Sequence, residues 1–225
     1  MLAFLAEEVV RRKEEGRPLK VAIDGRCASG KTFLADQLAQ ALRPEGFNVL
    51  RPSVDGFHHP REHRYRQGEY SAIGYYEDAF DYQAVEDYLL RPLSQDSFPV
   101  LCRQVAHDVR TDMPVSAPPI AVEANSVLLF DGLFLFRPEL NAYWDFRILL
   151  EIDAATSVSR ALERDVTDPP DIVRRKYTER YEPAWQIYLA NERPASKADV
   201  IVDNCDFLHP RILKTSTYRI GKLSA

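Results

Sequence analysis

The eight residues from Gly25 to Thr32 read GRCASGKT and fit the pattern G-x-x-x-x-G-K-[ST]. In a loop of this kind the glycines let the backbone curl so that successive N–H groups point at phosphate oxygens. Lys31 would reach the β- and γ-phosphates of a nucleotide, and the Thr32 hydroxyl would hold Mg²⁺. The octet lies between an apolar run and a stretch of helical periodicity, as a phosphate-binding loop requires. The predicted ATP-binding residues are Gly25, Arg26, Cys27, Ala28, Ser29, Gly30, Lys31 and Thr32.

Two aspartates directly follow predicted strands. Asp55 comes after residues 47–54, and Asp131 comes after residues 126–130. Open α/β sheets bind ligands at the carboxyl ends of their strands, so Asp55 could accept the proton of a substrate hydroxyl during phosphoryl transfer. Asp131 is the natural second acid for Mg²⁺ or its waters. Each aspartate precedes a glycine, and an Asp-Gly turn without a chemical role is the alternative for both.

Basic residues are frequent between residues 160 and 180. Arg160 and Arg164 lie four residues apart, on one face of a predicted helix. Arginines that cover a site can neutralise the charge that spreads over a transferred phosphoryl group. Acidic residues alternate with these basic ones, so an ordinary solvated face is the alternative.

Cys27 lies within the phosphate-binding motif, close to the predicted start of a helix. The positive end of the helix dipole would lower the pKa of its thiol and make the thiol reactive. Oxidation sensitivity of the loop is therefore a further hypothesis.

The elements that must position these residues alternate between strands and helices. Short apolar runs predict buried parallel strands, and apolar positions that repeat every 3.6 residues predict helices. The predicted strands are residues 19–23, 47–54, 126–130, 146–152 and 200–202, and the predicted helices are 2–15, 31–42, 82–93, 154–165 and 171–192. Pro183 is expected to break the last helix. The alternation indicates one α/β domain over residues 1–225 with a parallel sheet.

Three segments lack a strong periodic pattern. Residues 56–81 are polar, aromatic and irregular, and a loop of this length in a compact domain is usually functional. We therefore predict a substrate-covering insertion there. Residues 98–124 contain two weak strand-like runs around prolines and suggest a β-hairpin at the edge of the sheet. From about Phe207 the sequence carries no clear signal.

Composition restricts the compartment and the classes of partner. The 225 residues carry a net charge of −5 with a pI near 5.6, which removes a whole-chain electrostatic argument for nucleic acid binding. No apolar run approaches the roughly 20 residues of a membrane span, and the cysteines form no paired framework. We therefore expect a cytoplasmic protein without nucleic acid or membrane partners. An apolar stripe on the predicted helix 2–15 leaves a homo-oligomer open.

The sequence resembles the uridine kinase and phosphoribulokinase family of P-loop kinases over most of residues 19–204. Six motifs carry the resemblance, and their order and spacing are more specific than any one of them. They are GRCASGKT, VDGF at 54–57, DAFD at 78–81, LLFDG at 128–132, SRALERD at 159–165 and ADVIV at 198–202. The resemblance implies a three-layer αβα P-loop NTPase fold, with a five-stranded parallel sheet, a small substrate-binding insertion and a lid over residues 160–182. It also implies transfer of the γ-phosphoryl group from ATP, with Mg²⁺, to a hydroxyl group of a small-molecule acceptor.

The resemblance further implies roles for single residues. Asp55 matches the family's catalytic base, and Arg160 and Arg164 match arginines that contact substrate and phosphates. Asp131 stands where uridine kinases usually have a glutamate. The implied catalytic residues are Asp55, Lys31, Arg160 and Arg164, the metal-binding residues are Thr32 and Asp131, and the substrate-binding residues are Tyr75, His107 and Arg160.

The acceptor stays open at this point. His107 falls near a histidine that reads the pyrimidine base in uridine kinases, but Tyr75 replaces the acid that grips the ribose hydroxyls and Leu101 replaces a tyrosine of the base-recognition hairpin. The wording of residues 55–57 also resembles pantothenate kinases. The alternatives are a uridine kinase-like enzyme for a nucleoside or related acceptor, a pantothenate- or sugar-phosphate-type kinase, and a nucleotide sensor or ATPase without a small-molecule acceptor. A GTPase switch is disfavoured because the sequence has no N-K-x-D motif.

Overall fold

A six-stranded sheet forms the centre of the computed structural model, which describes residues 1–216. In chain order the strands are β1 (Leu19–Gly25), β2 (Asn48–Leu50), β3 (Val100–Cys102), β4 (His107–Asp108), β5 (Met113–Pro114), β6 (Ile120–Val122), β7 (Ser126–Gly132), β8 (Phe146–Glu151), β9 (Val200–Asp203) and β10 (Arg211–Thr215). The sheet has the order β10-β9-β8-β1-β7-β2, and only β10 runs antiparallel to its neighbour. The predicted set of five parallel strands is confirmed, and β10 extends it at one edge.

Helices cover both faces of this sheet. In chain order they are α1 (Leu2–Arg12), α2 (Lys31–Leu42), α3 (Arg61–Arg64), α4 (Ala72–Asp78), α5 (Tyr82–Val85), α6 (Pro138–Asn141), α7 (Ala154–Arg164), α8 (Pro170–Arg175), α9 (Glu182–Glu192) and α10 (Pro194–Lys197). On one face α1 and α2 bury Leu5, Val9 and Leu38, and on the other face α9 buries Trp185 and Tyr188. Because both faces are covered, β1 and β7 are buried along their whole length, and they read as apolar runs. The fold is the three-layer αβα arrangement of P-loop NTPases.

The apolar stripe of α1 packs largely within the chain. Leu5 and Val9 have no exposed surface and belong to the same core cluster as α2 and β1. At these two positions the stripe serves the chain's own core, so they offer no surface to a second copy. Within residues 1–216 no helix is both long and apolar enough to cross a membrane.

The helical run near the end of the chain corrects the prediction that Pro183 breaks it. The chain continues from α8 through a π-helical segment, Lys176–Tyr181, directly into α9. At the end of this segment the N–H of Glu182 donates to the carbonyl oxygen of Tyr177, five residues earlier. The wider turn accommodates the proline. Pro183 lies in the first turn of α9, where its missing N–H costs little stability.

The second strand is shorter than predicted. β2 ends at Leu50, and a 3₁₀ turn, Val54–Phe57, follows at the edge of the sheet. Ser53 caps this turn because its Oγ accepts a hydrogen bond from the backbone N–H of Asp55 at 3.4 Å. The cap therefore ends the strand early and turns the chain beside the end of β7.

The hairpin predicted at the sheet edge lies outside the main sheet. Its strands pair as two separate two-stranded sheets, β3 with β6 and β4 with β5. Pro114, Pro118 and Pro119 cannot donate hydrogen bonds to a strand ladder, which keeps these pairings to two or three residues. The segment after Phe207, which carried no signal, forms β10 as far as the structure describes it. Residues 217–225 of that segment lie outside the described residues.

Candidate active site

The phosphate-loop motif joins the end of β1 to the start of α2. A Cβ atom on Gly25 would lie 2.5 Å from the carbonyl oxygen of Leu150, so only glycine lets the chain leave the sheet this closely. Gly30 precedes α2 with a φ of 92°, in the left-handed region that favours glycine. The Nζ of Lys31 donates to the carbonyl oxygen of Arg26 at 2.8 Å, which holds the side chain along the loop. The loop thus presents backbone N–H groups, a helix N-terminus and one ammonium group together, which is an anion-binding arrangement.

Thr32 and Asp131 meet at the end of the sheet. The Oγ1 of Thr32 donates to Oδ2 of Asp131 at 2.7 Å, and Oδ1 of Asp131 accepts a hydrogen bond from Nη1 of Arg51 at 3.2 Å. Asp131 is buried. A hydroxyl and a carboxylate are oxygen donors of the kind that Mg²⁺ prefers, so this pair fits a Mg²⁺ site. Sequence analysis missed Arg51, which belongs to no motif.

Asp55 lies on the 3₁₀ turn beside this pair. Ser53, which caps the turn, also donates its hydroxyl to the carbonyl oxygen of Asp131 at 3.1 Å, so the two aspartates are held next to each other. Nδ1 of His58 lies 3.0 Å from the backbone oxygen of Asp55. Burial lowers the pKa of His58, although the nearby carboxylate of Asp55 opposes this shift. The carboxylate of Asp55 itself is exposed in a cavity, where it can accept a proton.

One cavity of about 480 Å³ collects most of the predicted site residues. Its wall contains four residues of the phosphate loop, both aspartates, a tyrosine and one of the two predicted arginines. These residues are Cys27, Ala28, Lys31, Thr32, Asp55, Asp131, Tyr75 and Arg164. The wall also contains basic residues to which sequence analysis assigned no role. These residues are Arg61, Arg64, Lys176 and Arg180.

Arg160 and Arg164 separate, although they lie one helical turn apart on α7. Arg164 lines the cavity and pairs with Asp165, which raises the pKa of the guanidinium. Nη2 of Arg160 instead donates to the carbonyl oxygens of Asn204 at 2.7 Å and Cys205 at 3.1 Å. These carbonyl groups at the end of β9 hold Arg160 outside the cavity. Arg160 is not among the residues that line the cavity, and its contact with substrate and phosphates stays a prediction. In this structure it contacts the segment whose Asn204 side chain donates to the Ser29 carbonyl oxygen.

His107 and Tyr75 also differ in position. His107 lies on β4, is buried, and is absent from the cavity wall as described; its Nε2 lies 3.5 Å from Oδ1 of Asp112. The contact of His107 with substrate stays a prediction, and the cavity as described offers no surface of this residue to a ligand. Tyr75 does line the cavity, and the guanidinium of Arg180 lies 4.9 Å from its ring centroid. Burial raises the pKa of Tyr75 well above its ordinary value, so its hydroxyl stays protonated.

Cys27 contradicts the expectation of a reactive thiol. Burial raises the pKa of its thiol, and the opposing effect of the Lys31 charge is smaller. A thiol of raised pKa is mostly protonated near neutral pH and reacts slowly with oxidants. Burial therefore shifts the pKa of this thiol in the direction opposite to the expected one.

Asp24 is a residue that sequence analysis passed over. It is fully buried, and its carboxylate accepts hydrogen bonds from the backbone N–H groups of Gly25 at 2.7 Å and Leu135 at 3.2 Å and from the hydroxyl of Tyr188. Burial raises its pKa to about 6, against the effect of these donors. The signal in the sequence was a charged residue inside an otherwise apolar strand. Asp24 ties the start of the phosphate loop to α9.

We expect the substitution Asp24→Asn to change how stability depends on pH. The pKa of Asp24 is about 6 in the folded protein, against about 3.9 in the unfolded chain, so between those values the folded state binds more protons. The unfolding free energy contributed by Asp24 is therefore highest below about pH 4 and falls as the pH rises through about 6, by roughly 2–3 kcal/mol. Urea unfolding between about pH 4.5 and 7.5 should show the wild type losing stability relative to the variant as the pH rises. Parallel pH profiles for the two proteins would contradict this assignment.

Comparisons with known proteins find uridine kinases among the similar sequences. No family model matches the chain. Among curated proteins, the chain is 27% identical over 192 residues to uridine-cytidine kinase B of Dictyostelium discoideum, covering 82% of this chain and 74% of that protein. It is 25% identical to a uridine kinase of Mycoplasma pneumoniae, covering 81% of this chain and 83% of that one.

Solved structures agree with these matches. A structure titled as a possible uridine kinase from Bacillus stearothermophilus superposes with a TM-score of 0.70 at 28% identity, over 89% of this chain and 96% of that one. The phosphoribulokinase of Rhodobacter spheroides shares the fold, with a TM-score of 0.55 at 15% identity, over 84% of this chain and 71% of that one. Taken with the phosphate loop and the sheet order, these matches identify an ATP-dependent kinase that is similar in sequence and fold to uridine kinases.

Proposed function

We propose that this kinase transfers the γ-phosphoryl group of ATP to a hydroxyl group of a small molecule, in a uridine kinase-like reaction with Asp55 as the base. The observation that carries the proposal is the single cavity that Lys31, Thr32, Asp131 and Asp55 line together. A donor phosphate and an acceptor hydroxyl held in one cavity gain most from positioning and charge stabilisation. The names of the relatives, which are uridine kinases, agree with this class of reaction.

The phosphates are assigned to the loop end of the cavity. Residues Gly25–Thr32 would surround them with N–H groups, and Lys31 would add a positive charge at the β- and γ-phosphates. Thr32 and Asp131 would hold Mg²⁺, which would neutralise phosphate charge when it is bound. Arg164 also lines the cavity and would stabilise charge on the transferred group.

Asp55 is assigned the acceptor hydroxyl. Its carboxylate would take the hydroxyl proton as the oxygen attacks phosphorus, and ADP would leave on the other side. Support comes from its exposure in the cavity and from the cap by Ser53, which fixes the turn beside Asp131. Tyr75, as a neutral hydroxyl in the same wall, is assigned to acceptor binding.

The proposed domain organisation follows from the same cavity. Residues 1–225 would form one P-loop kinase domain, in which residues 56–81 cover the acceptor and residues 160–182 form the lid. In support, the insertion supplies Arg61, Arg64 and Tyr75 to the wall, and the lid segment supplies Arg164 and Lys176. The insertion is also anchored, since α4 packs against α9.

A panel of acceptors tests the proposal. ADP release would be measured with Mg²⁺-ATP and single additions of nucleosides, pantothenate, ribulose 5-phosphate or simple sugars. We expect one class of acceptor to accelerate ADP release well above the rate with ATP alone, and no acceleration with a Lys31→Ala variant. A constant slow rate with every acceptor, in a protein that still binds ATP, would favour the sensor or ATPase alternative.

A further inference from the structure

The cavity wall contains several basic residues. Beyond Asp55, the insertion places Arg61 and Arg64 in the wall, both on the short helix α3. His58 lies beside Asp55, since its Nδ1 is 3.0 Å from the Asp55 backbone oxygen. The charge of Arg64 adds to the burial that lowers the pKa of His58. Two guanidinium groups therefore line the same cavity as Asp55, the proposed base.

Arg64 is buried but incompletely paired. Its side chain is 9% exposed, and its Nη2 donates to Oδ1 of Asp112 at 3.1 Å. Its Nε is buried and has no hydrogen-bond partner within residues 1–216. A buried donor without a partner is energetically costly, and more so when the group is charged. Arg64 also lines the cavity, so its incompletely paired guanidinium is a candidate group for binding a ligand oxygen.

Arg61 adds a second, more exposed charge three residues earlier. Both carboxylate oxygens of Asp112 accept hydrogen bonds from its backbone N–H, at 2.8 and 3.1 Å, which fixes the start of α3. Its guanidinium lies 5.6 Å from the ring centroid of Tyr65. Residues three apart on a helix share a face, so Arg61 and Arg64 can act on one ligand group.

Two of the other basic residues of the wall already have partners, and Glu69 adds one carboxylate to the wall. Nη1 of Arg180 donates to the carbonyl oxygen of Glu69 at 2.6 Å, and Lys176 pairs with Asp168 at 2.8 Å. Asp112 is shared between the backbone of Arg61 and the side chain of Arg64, so it does not neutralise both guanidinium groups. Asp55 remains for the acceptor hydroxyl.

We propose that the acceptor is an anion, a hydroxylated small molecule with a phosphate or carboxylate group that Arg61 and Arg64 bind while Asp55 takes the hydroxyl proton. This inference rests on the proposed kinase function, and it narrows the acceptor away from a neutral nucleoside. Charge-assisted hydrogen bonds from arginine to such a group are strong and often bidentate. The reaction itself is unchanged: an O–P bond forms at the acceptor hydroxyl, the bond to ADP breaks, and the hydroxyl proton passes to Asp55.

Matched pairs of acceptors provide the first test. ADP release would be compared for ribulose and ribulose 5-phosphate, for glycerol and glycerate, and for uridine as a neutral nucleoside. We expect the anionic member of one pair to give the higher kcat/KM, and the pair that responds distinguishes phosphate from carboxylate. Arg61→Gln and Arg64→Gln should each raise the KM for that anion roughly 10- to 100-fold, the loss of one charge-assisted contact. Arg110→Gln, an exposed residue outside the cavity wall, is the matched control and should change little.

A binding measurement separates this inference from the kinase proposal. With the loop saturated by Mg²⁺ and a non-hydrolysable ATP analogue, inorganic phosphate should raise the thermal midpoint of the wild type and of Arg110→Gln, but not of Arg61→Gln or Arg64→Gln. An equal response of all four proteins, or none, overturns the anion site. Efficient turnover of uridine that neither arginine substitution affects also overturns it, while the kinase proposal stands. An arginine-dependent phosphate response without acceptor-stimulated ADP release overturns the kinase proposal and leaves the anion site supported.

Discussion

Replacing Asp55 with asparagine should lower kcat by roughly 100- to 10,000-fold, the usual contribution of a general base. The asparagine side chain keeps the size and one acceptor oxygen of the aspartate but cannot take the acceptor proton. Since Asp55 is exposed in the cavity and its turn is capped through its backbone, the variant should keep its fold. Steady-state ADP release with the acceptor found in the panel would measure the loss.

The control for this experiment is Asp96→Asn, which removes the same charge from an exposed position outside the cavity wall. Both variants should bind Mg²⁺-ATP with the wild-type dissociation constant, because the phosphates are assigned to the loop. If Asp55→Asn retained wild-type kcat with an unchanged Kd for ATP, the role of Asp55 as base would be refuted.

The second large effect is expected for Lys31→Ala. Removal of one preorganised donor to a developing charge typically costs a factor of about 100 to 1,000 in kcat. Lys31 is buried in the loop, and its Nζ lies 2.8 Å from the Arg26 carbonyl oxygen, so no other ammonium group of the cavity wall takes the same place. We expect a weaker Kd for Mg²⁺-ATP as well, because Lys31 would contact the phosphates in the ground state too.

Lys13→Ala is the matched charge control, since Lys13 follows the end of α1 and does not line the cavity. Single-turnover rates and nucleotide affinity would be measured for both variants. Equal single-turnover rates in Lys31→Ala and wild type would show that the catalytic charge comes from elsewhere in the cavity.

The fold was predictable because its signals are local. Strands buried on both faces, such as β1 and β7, read as continuous apolar runs, without alternation of apolar and polar residues. The phosphate-loop motif predicts a strand, a turn and a helix in that order. The failures depend on contacts between distant residues. A proline usually breaks a helix, but the π-helical turn before Pro183 lets the helix continue through it. β10 forms because β9 offers an edge, which no local periodicity reveals.

The candidate site was predictable where a motif fixes it and unpredictable where packing decides. Their spacing predicted that Arg160 and Arg164 share one face of a helix. Arg160 instead donates hydrogen bonds to carbonyl oxygens beyond β9 and does not line the cavity. Burial reversed the expected pKa of Cys27 and concealed His107. Arg64 belongs to no motif, and its position in the cavity wall depends on how α3 packs in the folded protein.

The contacts at the base of α9 make that helix and the phosphate loop one mechanical unit. Tyr188 donates to Asp24 in front of the loop, and Glu182 pairs with Arg26 within it. The basic segment upstream of Glu182 continues directly into this helix, so a movement of that segment would act on the phosphate loop. Because lid opening limits turnover in many enzymes, we expect substitutions of Tyr188 or Glu182, which line no part of the cavity, to change the turnover rate of this kinase.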